Sequence, residues 1–546
     1  MRRGTASHDA LASACLETES TPRAARTRAA LAAILALATI ALYARVAGHQ
    51  FLHFDDDRYL TANPVVAAGL TADGVRWAFG TFSVANWHPL AWLSHMLDVQ
   101  LFGMRPGPHH LGNAAIHAAN AGLVFLVLAR MTRATRLSLL AAGLFAFHPL
   151  HVESVAWISE RKDLLSTFFG LLLLGAYARF AARPSIPRYL GVFLLLAASL
   201  MAKAMWITAP FLLLLLDFWP LQRVAASWNP DDPRPPPSPR FSVGRLVLEK
   251  LPLLALCAAV GAVAVVAQGR EGALESLARL PLPGRIGNAA ASYLRYLQLA
   301  VWPSSLAAYY SMAPGGLPAW LVGVALLALG GATAGAIVLR RRMPWVLTGW
   351  LWYLGMLVPV IGLVQVGSQA MADRYTYVPL LGIFVALVWS LDALVRPRRA
   401  RAALAGLAAA GVAALALATW IQIGHWRDQV SLFTHALAVT EGNGRAHHLL
   451  SQGLIAEERW PEALVHAREA ARLDPANPRA HKNLGFVLYR NGLLAEAIAS
   501  LEQAVALDPG YAEAHGNLAI AYGRAGRTDE AMREMRLEMQ LRSPRR

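Results

Sequence analysis

Cysteine is almost absent from this chain of 546 residues, which holds only Cys15 and Cys257. One lies in a polar N-terminal stretch and the other inside an apolar run, which excludes a disulfide framework and a cysteine-based zinc site. Charge is also scarce, at 15% of residues, and acidic side chains are the scarcer sign, 34 against 50 Lys and Arg. With 56% hydrophobic residues and a mean hydropathy of +0.39, the composition excludes an ordinary soluble domain and indicates an integral membrane protein. The net charge of +16 is unevenly spread, because from Asn443 onward 14 basic residues meet 13 acidic ones. The excess therefore belongs to the apolar part, where basic loops facing anionic membrane lipid account for it without a nucleic-acid partner.

The first 28 residues carry Arg2, Arg3, Arg23, Arg26 and Arg28, followed by an apolar run from Ala29 to Val46. That run has the length of a spanning helix, and the long basic start fits an uncleaved signal anchor better than a signal peptide. Residues 1–28 are thus expected to be a cytoplasmic tail. A polar stretch, 48–110, follows as the first external loop. Its Trp77, Trp87 and Trp92 beside several prolines suggest short helices at the membrane surface.

Further apolar runs recur from about residue 111 to 423. Arginine clusters such as Arg130/Arg133/Arg136 and Arg340-Arg341-Arg342 are expected on the cytoplasmic side. Alternation then requires that the weak run at 289–302 not cross fully, which leaves about eleven spans in a core of residues 29–425. It also puts the C-terminus opposite the N-terminus. Residues 220–248 read as a cytoplasmic loop whose Pro230–Pro239 piece is an extended linker.

Beyond residue 444 the sequence repeats with a period of 34. His447, His481 and His515 recur at that interval, as do Ala446/Ala480/Ala514 and Leu450/Leu484/Leu518, and Asp-Pro closes two units at 474–475 and 508–509. Small residues at a helix crossing and a Leu on the inner face mark tetratricopeptide helix pairs. Three repeats over 444–546 form an α-solenoid whose concave surface suits an extended acceptor protein or peptide.

Charges at a membrane edge are costly and usually functional. On the expected topology one face collects Asp55-Asp56-Asp57, His148 to Glu153, Arg161-Lys162-Asp163, Lys203 and Asp373-Arg374-Tyr375. Carboxylates can accept a proton and cations can hold a phosphate, the two demands of moving a sugar from a lipid phosphate to a hydroxyl. His88 beside Pro89 reads first as a structural hydrogen-bonder. The spacing His148/His151/Glu153 admits a metal but lacks the helical arrangement of zinc proteases, which leaves divalent-metal dependence open and no cofactor firmly expected.

The chain resembles the transmembrane and tetratricopeptide-repeat O-mannosyltransferase-like family of the GT-C glycosyltransferases. The resemblance is carried by Phe54-Asp55-Asp56-Asp57-Arg58-Tyr59, Asn86-Trp87-His88-Pro89-Leu90, His148-Pro149-Leu150-His151-Val152-Glu153, Arg161-Lys162-Asp163, Leu215-Leu216-Asp217-Phe218-Trp219-Pro220 and Asp373-Arg374-Tyr375. It implies an all-α polytopic core, a polyprenyl-phosphate-linked hexose donor such as a mannosyl lipid, and a protein or other acceptor hydroxyl on the periplasmic or luminal side. Its catalytic pair corresponds to Asp55 and Asp56, its lipid-phosphate contacts to Arg161 and Arg374, and its cavity-lining second loop to His151 and Glu153; His88, Asp163, Lys203 and Tyr375 are expected to line the same cavity. With many Ala, Leu and Arg and no retention signal at Ser543–Arg546, the expected location is a bacterial inner membrane with periplasmic repeats. Three repeats in place of a long array leave the nature of the acceptor open. A membrane-anchored repeat scaffold that recruits envelope proteins without catalysis is the alternative.

Overall fold

The computed structural model describes residues 22–224, 240–270, 281–312, 316–395 and 397–543. Most of the expected N-terminal tail, and Pro230–Pro239 with most of its loop, lie outside them. The described residues are overwhelmingly helical, and helices of ten residues or more are numbered α1 to α20. They fall into two compact units. One comprises residues up to 51, 56–304 and 313–424; the other comprises 52–55, 305–312 and 425–546.

The membrane unit begins with α1 (Pro22–Tyr43), earlier than the apolar run alone suggests, because a proline suits the first helical turn. The 48–110 stretch is a small packed body, not a connector. Asn63 accepts hydrogen bonds from the backbone of Val65 (3.1 Å) and Val66 (3.3 Å) to start a short turn. Tyr59, Leu60, Trp92 and Met96 bury themselves together with Ile158. This body ends in α2 (Pro89–Phe102).

Next come α3 (Pro106–Thr132), α4 (Thr135–Phe147), α5 (Arg161–Ala182), α6 (Ile186–Ala202) and α7 (Ala209–Phe218). The helices α8 (Val243–Arg270), α9 (Leu282–Val301), α10 (Ala319–Leu339), α11 (Pro344–Leu357), α12 (Pro379–Leu394) and α13 (Arg398–His425) complete the unit. Only 17%, 11% and 6% of the apolar stretches of α8, α10 and α13 are buried within the protein, against 61% for α3 and for the helix over 158–182. Helices that apolar cannot face water, so lipid covers the outer ones while α3 and α5 form the centre. Among the described residues six helices are long and apolar enough to cross a membrane, or seven if α4 and the turn after it count as one bent span. The larger expected number included runs such as α6 and α12, which are apolar but short. α9, with Arg285 and Arg295, is not among the six. Where α11 crosses α12, Gly349 and Gly382 each face the other's carbonyl so closely that a Cβ on either would collide. Such contact is how apolar helices gain packing in lipid.

The second unit starts with α14 (Gln429–Val439) and continues as three helix pairs. They are α15 (Gly444–Ala456) with α16 (Trp460–Leu473), α17 (Pro478–Arg490) with α18 (Leu494–Leu507), and α19 (Ala512–Arg524) with α20 (Thr528–Arg542). Ala446, Ala480, Ala514, Ala463 and Ala497 are buried, as crossings of helix pairs require. Two short segments belong to this unit. Phe54 meets Phe433 edge-on at 5.4 Å, and Asn443 donates to the Tyr309 carbonyl (2.9 Å) and accepts from the Ser311 hydroxyl (3.2 Å).

Candidate active site

α4 stops at His148 because Pro149 cannot continue a helix, and the chain turns by 55°. Three short turns, Pro149–His151, Val152–Ala156 and Ile158–Glu160, carry it to the start of α5 at Arg161. Every residue from Pro149 to Leu164 is buried, the one circumstance in which irregular backbone is tolerated beside a bilayer.

Glu160 is the hub of the site. Its carboxylate meets Lys162 Nζ at 2.9 Å, Lys203 Nζ at 3.2 Å and Arg374 Nε at 3.5 Å. Lys203 also pairs with Asp163 at 2.6 Å, and Arg374 pairs with Glu153 through its guanidinium and its backbone nitrogen. Lys162 sits over the Tyr59 ring (4.7 Å), while Arg374 lies over Trp157 (5.4 Å) and Tyr375 (5.0 Å). Tyr375 takes a hydrogen bond from Gln369 at its hydroxyl (2.8 Å). The cations are the outer members of the cluster. Lys203, Arg374 and Lys162 are 18%, 13% and 9% exposed, against 4% for Glu160 and 2% for Glu153. Asp163 Oδ2 is buried without a hydrogen-bond partner among the described residues.

Asp56 joins this cluster from the first loop. It is fully buried and accepts from both the backbone nitrogen (3.1 Å) and the hydroxyl (2.5 Å) of Ser159, next to the Glu160 hub. Asp55 adopts a left-handed backbone, φ +74°, a conformation Asp tolerates better than most residues. It groups with the repeat unit instead, and its carboxylate accepts no hydrogen bond among the described residues. Asp57 only caps its own turn, accepting from Arg58 N at 2.9 Å.

Arg161 and Arg374 are not brought together. Arg161 donates to Asn113 (2.7 Å), Ser94 (3.3 Å), Asp98 and the His109 carbonyl (2.6 Å), a partner set with no member in common with that of Arg374. It clamps α2 and α3 to α5. His88 stacks on Tyr59 and packs on Trp92. Burial first, and then nearby Lys162 and Lys203, hold its imidazole well below the usual value, so it is neutral. His151 lies deeper, bonded to the Phe145 carbonyl (2.7 Å) and packed on Tyr377 (5.0 Å). His148 is held by Ala300 O and Leu150 N, so the His148/His151/Glu153 spacing serves backbone and Arg374. Among the described residues no three His, Cys, Asp or Glu side chains gather in a way that could hold a metal ion.

Sequence reasoning missed Glu160, Ser159 and the role of Lys162. The run Glu160-Arg161-Lys162-Asp163 at the head of an apolar helix was the available signal for Glu160.

Two tetratricopeptide-repeat family models match residues 448–512 and 488–537. The chain is 38% identical over 197 residues to Protein O-mannosyl-transferase Tmtc1 of Drosophila melanogaster, covering 35% of this chain and 23% of that protein. It is 34% identical over 174 residues to TMTC1 of Mus musculus (29% and 18%), and 34% identical over 119 residues to TMTC3 of the same animal (21% and 13%). This membrane protein with tetratricopeptide repeats is a relative of those transferases. The similarity spans less than a quarter of the length of each. Among solved structures, the crystal structure of YrrB, described as a TPR protein with an unusual peptide-binding site, covers 40% of this chain and 94% of its own at 17% identity and a TM-score of 0.21, too low to bear on fold or function.

Proposed function

We propose that the protein is an inverting GT-C-type glycosyltransferase that moves a hexose, mannose by the names of its relatives, from a polyprenyl-phosphate donor to a hydroxyl of an acceptor protein on the periplasmic or luminal side. The observation that carries this reading is the cluster of Lys162, Lys203 and Arg374 lying outside Glu153, Glu160 and Asp163, with Asp56 tied to it through Ser159. Charges in an apolar body are costly and usually functional, and the cations here are the more exposed members of their pairs.

In this reading Lys203 and Arg374 receive the lipid phosphate, while Glu153 and Glu160 hold them in place. Arg161 ties the turns that bear Glu153 and Glu160 to α2 and α3 and is a positioning residue. An apolar cleft of about 270 Å³, lined by Phe211, Leu215, Leu351 and Trp352 among others, suits part of an isoprenoid tail. The acceptor hydroxyl gives its proton to a carboxylate while its oxygen bonds to the anomeric carbon. The bond from that carbon to the phosphate oxygen breaks, and the electron pair leaves on the polyprenyl phosphate, where the cations stabilise it. Asp56, held in the membrane unit by Ser159, is the carboxylate of the expected Asp55–Asp56 pair that serves the transfer at this cluster. His88, Asp163, Tyr375 and, more deeply, His151 line the region.

Transfer of radiolabelled sugar from purified polyprenyl-phosphate donors to total periplasmic or luminal protein tests the reading. Label incorporation that disappears in Arg374→Gln and Lys203→Gln supports it. Absence of transfer by well-folded protein with every lipid-linked hexose tried would favour a non-catalytic scaffold.

A further inference from the structure

The repeat unit carries a second set of cations that the transfer reaction does not use. In a solenoid with a period of 34, residues 34 apart occupy the same place on successive first helices. Arg445 on α15 is thus matched by Arg479 on α17 and by Glu513 on α19, while His448 is matched by Lys482. The first two repeats therefore present Arg445, Arg479 and Lys482 in one stripe, and the third ends it with an acid.

The guanidinium groups of Arg445, half-buried, and Arg479, exposed, have no hydrogen bond or ion pair among the described residues. Lys482 reaches Glu513 at 3.1 Å and lies over the Tyr511 ring at 5.7 Å. Glu513 shows in place how a carboxylate seats on this stripe. Beneath the cations His448 is only 4% exposed, and its Nδ1 has no partner among the described residues. Burial, and after it Arg445, Lys482 and Arg479, push its pKa down to about 3. The same three cations thus act on one buried ring from two adjacent helices. Arg445 is also within electrostatic range of Asp55 and Tyr309 in the same unit.

We propose that α15 and α17 form a docking surface for an acidic segment of the acceptor polypeptide, whose carboxylates are held by Arg445, Arg479 and Lys482. This rests on the transferase reading and names the chemistry of its acceptor. Adjacent helices lie about 8–10 Å apart, and an extended chain advances about 3.3 Å per residue. Carboxylates about three residues apart would therefore meet Arg445 and Arg479 in turn. The stripe is short, bounded by Glu513 and flanked by Tyr511, which suits a peptide rather than a broad anionic lipid surface.

The test is fluorescence anisotropy of labelled, serine-containing peptides titrated with the full-length protein in detergent. One peptide carries Asp or Glu every third residue and the other carries Asn or Gln there. The acidic peptide should bind about tenfold or more tightly than the neutral one, and its affinity should fall as salt rises. Arg445→Ala with Arg479→Ala should erase the difference, while Lys at both positions should keep most of it. The peptide and salt series on the unaltered protein need no substitution, so a poorly folded variant would not spare the proposal. Equal binding of both peptides would overturn it. So would unchanged acidic-peptide binding in the double Ala protein, or loss in that protein of binding to anionic vesicles alone. Charge-dependent binding without sugar transfer from any donor would sink the transferase reading and leave the docking surface standing.

Discussion

Ser159 holds Asp56 with two hydrogen bonds, one from its backbone nitrogen at 3.1 Å and one from its hydroxyl at 2.5 Å. The backbone bond survives Ser159→Ala, but the hydroxyl bond does not. Ser159→Ala should therefore leave the fold within about 1–2 kcal/mol of its stability and lower sugar transfer by about tenfold, as a carboxylate loses half its alignment. Initial transfer rates beside a thermal melt measure both.

A different ion network tests how the membrane unit is held together. Asp217, Arg223 and Lys250 are fully buried, and Tyr177 donates to both oxygens of Asp217 (2.6 and 2.7 Å). Lys250 Nζ lies 2.9 Å from Asp217, and Arg223 pairs with Glu249 at 2.7 Å. Asp217→Asn leaves two buried cations to share Glu249 alone and should cost about 3–5 kcal/mol. A large fall in melting temperature or in detergent-extracted yield is expected, without any direct part in transfer.

The crossing of α11 and α12 gives a steric prediction. Gly349→Ala would force a Cβ against the Gly382 carbonyl and Ala386, so the two helices must separate. The expected loss is about 1–3 kcal/mol, seen as a lower melting temperature. Gly355→Ala on the same helix meets nothing within contact distance and should melt like the parent.

Acid should loosen the repeats. His448 has a pKa of about 3 in the folded chain and an ordinary value near 6.5 when unfolded, so the unfolded state binds more protons between those limits. Stability is therefore complete above about pH 6.5 and is lost as the pH falls toward 3, by about 2 kcal/mol at pH 5 from this group. Hydrogen exchange of α15 and α17 in the full-length protein, corrected for intrinsic rates, should show less protection at pH 5 than at pH 7.5. His448→Gln should flatten that dependence.

Much of this organisation is legible in the sequence for physical reasons. A period of 34 with alanines at fixed places can only be stacked helix pairs. The costly charges at 153, 163, 203 and 374 meet because nothing else in an apolar body can satisfy them. Other features depend on tertiary partners. Arg161 and Lys162 are chain neighbours, yet Arg161 turns to Asn113 and Asp98 while Lys162 turns to Glu160, and no pattern of residue types distinguishes the two. Asp55 and Asp56 part in the same way, because one left-handed residue sends successive side chains in different directions. The number of crossings is not legible because runs such as Ile186–Ala202 are apolar enough to span but short enough to be buried core.

Asp56 is held beside the Glu153–Asp163 cluster through Ser159, and the sugar transfer proposed for that cluster depends on it. The direct measurement is the rate of hexose transfer from a polyprenyl-phosphate donor by the full-length protein and by Asp56→Asn, with the melting temperature of each taken in the same detergent. The expected result is a fall of about a hundredfold or more in rate, with the melting temperature changed by only a few degrees. Transfer by Asp56→Asn at the parental rate would contradict it.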